Sequence, residues 1–299
     1  MYRELKERGC EVVEADLSNK DSLQKAFEGA YGVFGVTDFW ATMNPDIEIS
    51  QGKNIADASK VRIFPFLFYI SSRSPPQTTL HKFTIALTPP LQATGVKQLV
   101  FSSLINVSKA SSGKLTRVTH FDSKAKIAEY IQSIGIPASF FMPGFYMSNL
   151  PGMFQTGSNG ELTWMLPISP ESKVPVFDTR GDTGKYVLAI LRKGLGDKSV
   201  FGREYPAASA YLTPTQIINT VASHKGVEGH FIEVPEDAFL KVLEDKGMPH
   251  HAADDLTANM LLMNKDGVGY FGGMDVEAPP KELGIKPRSF EDWVKAEWK

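Results

Sequence analysis

This chain predicts an α/β fold: a doubly wound parallel sheet, with a smaller, mostly helical C-terminal lobe. Three observations predict it. Short apolar runs alternate with amphipathic helical stretches through residues 1–150, the spacing of parallel strands joined by crossover helices. The segment 120–149, HFDSKAKIAEYIQSIGIPASFFMPGFYMSN, sets a basic helix beside a buried strand that opens into a Gly-containing loop, the layout of an α/β crevice. After Asn149 the rhythm breaks: residues 151–180 carry four prolines and three glycines and read as irregular. Residues 1–150 are therefore expected as one domain and 151–299 as a second lobe, with 176–200 returning to the first.

The elements follow in order. MYRELKERG reads as the last turns of a helix closed by Gly9. EVVEADL (11–17) reads as a strand ending at Asp16, SNKDSLQKAFEG as a capped helix with Leu23 and Phe27 on one face, and AYGVFGVT as a second strand. IEISQGKNIADASK is a helix and KQLVFSS (97–103) a third strand. His120 and Lys124 stand four apart, which places both on one helix face. That helix stops near Gly135, and PASFF is the fourth strand, turning at Pro143-Gly144. DTGKYVLAILRKG (182–194) is a helix with Asp182 as its N-cap. Loops and helices follow from about 205 to the closing SFEDWVKAEW.

Composition excludes several classes. At 42% hydrophobic and 22% charged the chain is ordinary for a globular protein. A net charge of −2 gives no electrostatic grip on nucleic acid or an anionic membrane. One cysteine, Cys10, excludes an internal disulfide and suits a reducing compartment. No leader is expected at the charged N-terminus, and VRIFPFLFYI (61–70), with Pro65 inside it, is too short to span a bilayer.

Two features depart from an ordinary α/β domain. The chain opens on the tail of a helix, so the strand, Gly-rich turn and helix that receive a diphosphate have no counterpart before Gly9. Residues 61–92 mix a dense apolar run with scattered prolines and interrupt a helix after Lys60; joining Lys60 to Ala93 restores IADASKATGVKQLVFSS, a smooth helix–Gly–strand passage. The codons at the edges can spell splice signals, so this anomalous insertion is expected to be a translated intron, with a genuine surface insertion as the alternative.

GCEVVEADLSNKDSLQKAFEGAYGVFGVTDFW, ISQGKNIADASK with ATGVKQLVFSSL, HFDSK…EYIQSIGIP, PGFYMSN and PRSFEDWVKAEW occur in this order. Read without 61–92, the chain resembles the NmrA-like family of atypical short-chain dehydrogenase/reductase proteins over nearly its whole length. The resemblance implies a Rossmann-type domain for NADP(H) or NAD(H) with its N-terminal strands missing, and a small C-terminal lobe. It also implies a working reductase or a redox sensor acting on a protein partner such as a transcription factor. The place implied is the cytoplasm, and for a regulator also the nucleus, with no direct nucleic-acid or membrane contact.

The same resemblance assigns roles. Lys124 is the ribose-contacting lysine, which in reductases lowers the pKa of a tyrosine four residues earlier; here that position is His120, an imidazole able in principle to shuttle a proton. These two are the catalytic candidates. Ser102-Ser103 ends a strand where reductases carry a serine. Ala15 and Asp16 lie beside the adenine, Thr37, Asp38 and Phe39 along the dinucleotide path, and Phe145, Tyr146, Met147 and Ser148 beside the nicotinamide. No metal is expected: His250, His251, Asp254 and Asp255 make two i,i+4 pairs that diverge by about 100° on a helix. Gly267-Val-Gly-Tyr-Phe-Gly272 matches a dinucleotide motif but follows a helix-like run, so it is expected as a loop. The reading is an NAD(P)(H)-binding regulator with weak or no dehydrogenase activity. Its alternatives are an NAD(P)H-dependent reductase of a small carbonyl, quinone or aromatic substrate, and a non-functional product of a faulty gene model.

Overall fold

The computed structural model describes residues 2–60, 67–70, 84–87 and 96–298. The elements are α1 (Tyr2–Glu7), α2 (Lys20–Ala26), β1 (Gly32–Gly35), α3 (Pro45–Ser59), β2 (Leu67–Ile70), β3 (Thr84–Leu87), β4 (Gln98–Ser102), α4 (Val107–Ala110), α5 (Thr119–Ser133) and β5 (Ala138–Pro143). Then come β6 (Phe145–Tyr146), α6 (Leu150–Met153), β7 (Phe154–Thr156), β8 (Leu162–Leu166), β9 (Val174–Phe177), α7 (Thr179–Gly196), β10 (Glu204–Ala207) and β11 (Ala210–Leu212). Helix α8 (Pro214–Lys225), β12 (Gly229–Glu233), α9 (Glu236–Asp245), α10 (His250–Leu262), α11 (Ala278–Glu282) and α12 (Phe290–Glu297) close the chain.

Two compact units result. The first comprises Met1–Leu104, His120–Met142 and Val187–Tyr205; the second comprises Ile105–Thr119, Pro143–Tyr186 and Pro206–Lys299. The main sheet has the order β10-β5-β4-β1-β2-β3. Strand β1 runs parallel to β4, with Val33 opposite Leu99 and Gly35 opposite Phe101, and β4 runs parallel to β5. Every residue of β1, β4 and β5 is buried, as a parallel sheet covered on both faces requires. Leu23, Phe27, Ile55, Phe101, Ile127 and Phe140 belong to the core that forms around it. Burying each such side chain contributes about 1.5–3 kcal/mol.

Local chemistry sets the elements that carry the site. Asn44 caps α3 by accepting from the Asp46 and Ile47 amides at 2.9 and 3.3 Å, and Pro45 starts the helix where no amide is needed. Gly52 lets α3 lie close on α5: a Cβ there would sit 2.6 Å from Ile127 Cγ1 and 2.5 Å from its Cγ2.

Three expectations need correction, and one segment adds strands that no local period announces. Residues 11–17 are not a strand. Ala15 and Leu17 are buried, but among the described residues the segment has no ladder partner, and a strand exists only by pairing. Residues 61–92 contribute two strands where neither period is visible: β2 pairs parallel with β1, Phe68 opposite Val33, and β3 pairs antiparallel with β2. Residues 61–66, 71–83 and 88–95, and with them the Lys60-to-Ala93 join, lie outside the described residues. The stretch 151–180 is less irregular than expected and holds β7, β8 and β9; Pro167 and Pro170 fall between β8 and β9, where no ladder hydrogen bond is lost. Helix α7 begins three residues before Asp182. Its cap is Asp178, whose carboxylate accepts the Arg180 and Gly181 amides at 3.1 and 3.0 Å. Asp182 points inward instead, taking Lys185 Nζ at 2.7 Å and the Arg288 amide at 2.9 Å.

Beyond the main sheet the described residues form two three-stranded sheets, β11-β9-β6 and β12-β8-β7. No described helix is long and apolar enough to cross a membrane.

Candidate functional site

The C-terminal end of β1 runs into Thr37 and Asp38 and then a single 3-10 turn, Phe39–Ala41. Asp38 caps that turn, its carboxylate accepting the Trp40 amide at 3.1 Å. Burial raises the Asp38 carboxyl above its ordinary range, against the pull of Lys124 and of the turn amides. Thr37 and Phe39 are buried.

Helix α5 brings its first turns to this loop. The His120 ring lies 5.0 Å from Trp40, 5.8 Å from Phe39 and 4.8 Å from Phe121 between centroids. One turn later Lys124 reaches the same loop. Its ammonium donates to the Thr37 carbonyl at 2.8 Å, to Thr37 Oγ1 at 2.9 Å and to Glu48 Oε1 at 2.7 Å. An ammonium has three N–H donors, so all three are engaged inside the protein.

Glu48, from the first turn of α3, is the centre of this cluster, and its side chain is 0% exposed. Oε1 accepts from Thr37 Oγ1 at 2.7 Å as well as from Lys124, and Oε2 accepts a short hydrogen bond from Ser123 Oγ. A buried carboxylate is tolerated only when paired and hydrogen-bonded in this way. Neither Glu48 nor Ser123 stands out in the sequence. Next to Asn44-Pro45-Asp46, Glu48 reads as one more acid at a helix N-terminus, and no spacing connects it with a lysine 76 residues away.

The structure thus gathers Thr37, Asp38, Phe39, His120 and Lys124. Ala15 and Asp16 lie in the segment before α2. The Asp16 carboxylate accepts the Ser18 amide at 2.8 Å, its amide donates to Ser22 Oγ at 3.0 Å and its carbonyl accepts the Asn19 amide at 3.0 Å, while the Leu17 carbonyl accepts Asn54 Nδ2 at 3.0 Å. Ser102 and Ser103 are buried at the end of β4, where the Ser103 amide donates to the Phe141 carbonyl at 2.8 Å.

In the second unit, Phe145 pairs with Val176 on β9 and packs 6.4 Å from the buried Trp164. Met147 is wholly buried and Ser148 is exposed, while Tyr146 is 39% exposed. The four residues therefore alternate between core and surface. Asp255 accepts the Thr119 amide and hydroxyl, both at 2.6 Å, and Asp254 pairs with Arg117. Gly267–Gly272 follows α10 as a loop, with the Gly269 amide on the Leu262 carbonyl at 3.0 Å.

The sequence model of the NmrA-like family matches residues 1–68 and 86–294. Among curated proteins, the nitrogen metabolite repression protein nmr of Neurospora crassa is 26% identical over 224 residues, which are 71% of this chain and 45% of that protein. NAD(P)H azoreductase of Xenophilus azovorans is 23% identical over 212 residues, 71% of this chain and 68% of that protein. The chain spans about half the length of the first curated relatives it matches, 45% and 52%. Among solved structures, NmrA, a negative transcriptional regulator in complex with NAD, superposes with a TM-score of 0.70 at 18% identity, covering 94% of this chain and 78% of that one. That likeness shows a Rossmann-type fold.

Proposed function

This chain belongs to the NmrA-like family, and from that premise we propose that it is a redox-sensing or regulatory protein that binds NAD(P)(H) with weak or no dehydrogenase activity. The first unit is then the dinucleotide side and the second the substrate or partner side. The regulator among its relatives supports a protein partner such as a transcription factor, and with it a place in the cytoplasm and nucleus. One observation carries the reading. Where the reductase pattern has a phenol four residues before the lysine, this chain has an imidazole packed against Trp40, Phe39 and Phe121. A phenol there would be the acid that protonates a reduced carbonyl.

The residues around β1 fit one end of a dinucleotide. Asp38 offers a carboxylate acceptor for ribose hydroxyls, and the half-buried Trp40 offers aromatic surface for a ring. The diphosphate is another matter. Among the described residues the N-termini of α3, α5, α7 and α8 are closed by this chain's own side chains, Asn44, Asp255, Asp178 and Thr213. A diphosphate needs such amides open, so these four helix ends do not offer that part of the site, and no chemical step is derived through it.

The reductase alternative keeps the support of the azoreductase relative and of Lys124 on α5. Titration calorimetry with NADPH and NADH on the full chain, beside turnover assays with quinone and azo substrates, separates the readings. Binding without turnover is expected. Efficient NADPH oxidation by any of these substrates would establish the reductase, and no binding by folded, monodisperse protein would end both.

A further inference from the structure

We propose that Glu48 is a positioning residue that keeps Lys124 in a closed, charge-compensated pair, so that a ligand entering at the loop after β1 meets no free lysine N–H. The proposal rests on the reading of that loop as the dinucleotide side and specifies how its lysine is regulated.

The geometry is complete on both partners. Lys124 spends its three donors on Thr37 O, Thr37 Oγ1 and Glu48 Oε1, and its side chain is 12% exposed. Glu48 spends Oε1 on Thr37 and Lys124 and Oε2 on Ser123. Removing one charge leaves the other buried without compensation, a costly change, whereas removing both is tolerated far better. A ligand hydroxyl can therefore reach Lys124 only by taking the place of the Thr37 hydroxyl or of the Glu48 carboxylate. What it meets first is the half-buried Asp38 carboxylate, a hydrogen-bond acceptor, and the Trp40 ring.

The test uses the full chain. Lysine acetylation by acetic anhydride is followed by mass spectrometry in the wild type and in Glu48→Gln. Lys53 on α3 and Lys126 on α5 are exposed and serve as internal standards. Lys124 should react at least about ten-fold more slowly than Lys126 in the wild type and approach it in Glu48→Gln, given how strongly a buried pair holds its partners. A double-mutant cycle adds a second measurement. Glu48→Gln/Lys124→Met should be more stable than Lys124→Met alone. Wild-type Lys124 labelling as fast as Lys126 overturns the proposal, as does a cycle without coupling. Acetylation and the stability cycle need no cofactor, so a failure of NADPH binding would sink the functional reading while those two measurements still decide the role of Glu48.

Discussion

Replacing Gly52 by Ala tests whether the approach of α3 to α5 sets the site. On an exposed helix face this change stabilises by about 1 kcal/mol, because Ala is the better helix former. Here the new Cβ would lie 2.5 and 2.6 Å from Ile127 Cγ2 and Cγ1, and closer still to Cδ1. Ordinary carbon contacts need about 3.5–4.0 Å, so the helices must part by roughly 1 Å. Ile127 is fully buried and cannot swing into solvent. Overpacking of this kind costs about 1–3 kcal/mol, which outweighs the propensity gain over most of its range. At about 2–4 °C per kcal/mol for a chain of this size, calorimetry should read a melting temperature lower by a few degrees. Glu48 stands one turn before Gly52 on α3, and Lys124 three residues before Ile127 on α5, so the same parting stretches the 2.7 Å ion pair towards the limit of a hydrogen bond. Acetylation of Lys124 should rise in the same variant. Adding Ile127→Ala, which removes all three clashing atoms, should cost less in the Gly52→Ala background than alone. A Gly52→Ala protein that melts higher than wild type, with Lys124 still protected, would refute the reasoning.

Two further outcomes follow from single residues. Burial, partly offset by Lys124, raises the folded-state carboxyl of Asp38 above its unfolded value, so its favourable contribution is present below the unfolded pKa and is lost as pH rises through the folded one. Asp38→Asn should therefore raise the melting temperature at neutral pH by more than it does in acid; an equal change at both would count against the assignment. Asp255→Ala takes the acceptor from the Thr119 amide and hydroxyl and should cost about 1–2 kcal/mol in denaturant titration, the usual value of a helix cap. An unchanged midpoint would show that water replaces the carboxylate without loss.

What the residues alone disclose depends on period and on nearness in the chain. The helices α3 and α5 and the strands β1, β4 and β5 are legible because each carries its own hydrophobic repeat or apolar run. His120 and Lys124 are legible as neighbours because four residues apart on a helix means one face. The strand expected at 11–17 has suitable residues, but its state depends on a pairing partner, which no local pattern reveals. β2 is hidden for the mirror-image reason: its pairing with β1 shows only in space. Asp182 resembles a cap because caps and inward-facing acids look alike in sequence, and Asp178, four residues earlier, fills that role. Glu48 leaves no local signal. Its partners come from β1 and α5, and three-way convergence leaves no spacing to detect.

The packing of Trp40 on His120, 5.0 Å between ring centroids, gives the protein an optical probe of its own. Indole emission follows the polarity around the ring, and of the four tryptophans Trp40 is the one that lies on the turn after β1. Trp164 is wholly buried among Phe145, Phe154 and Phe231 and supplies an internal reference. Replacing Trp40 by Phe would identify its share of the spectrum. Events at the turn could then be timed by stopped-flow fluorescence without attaching a dye.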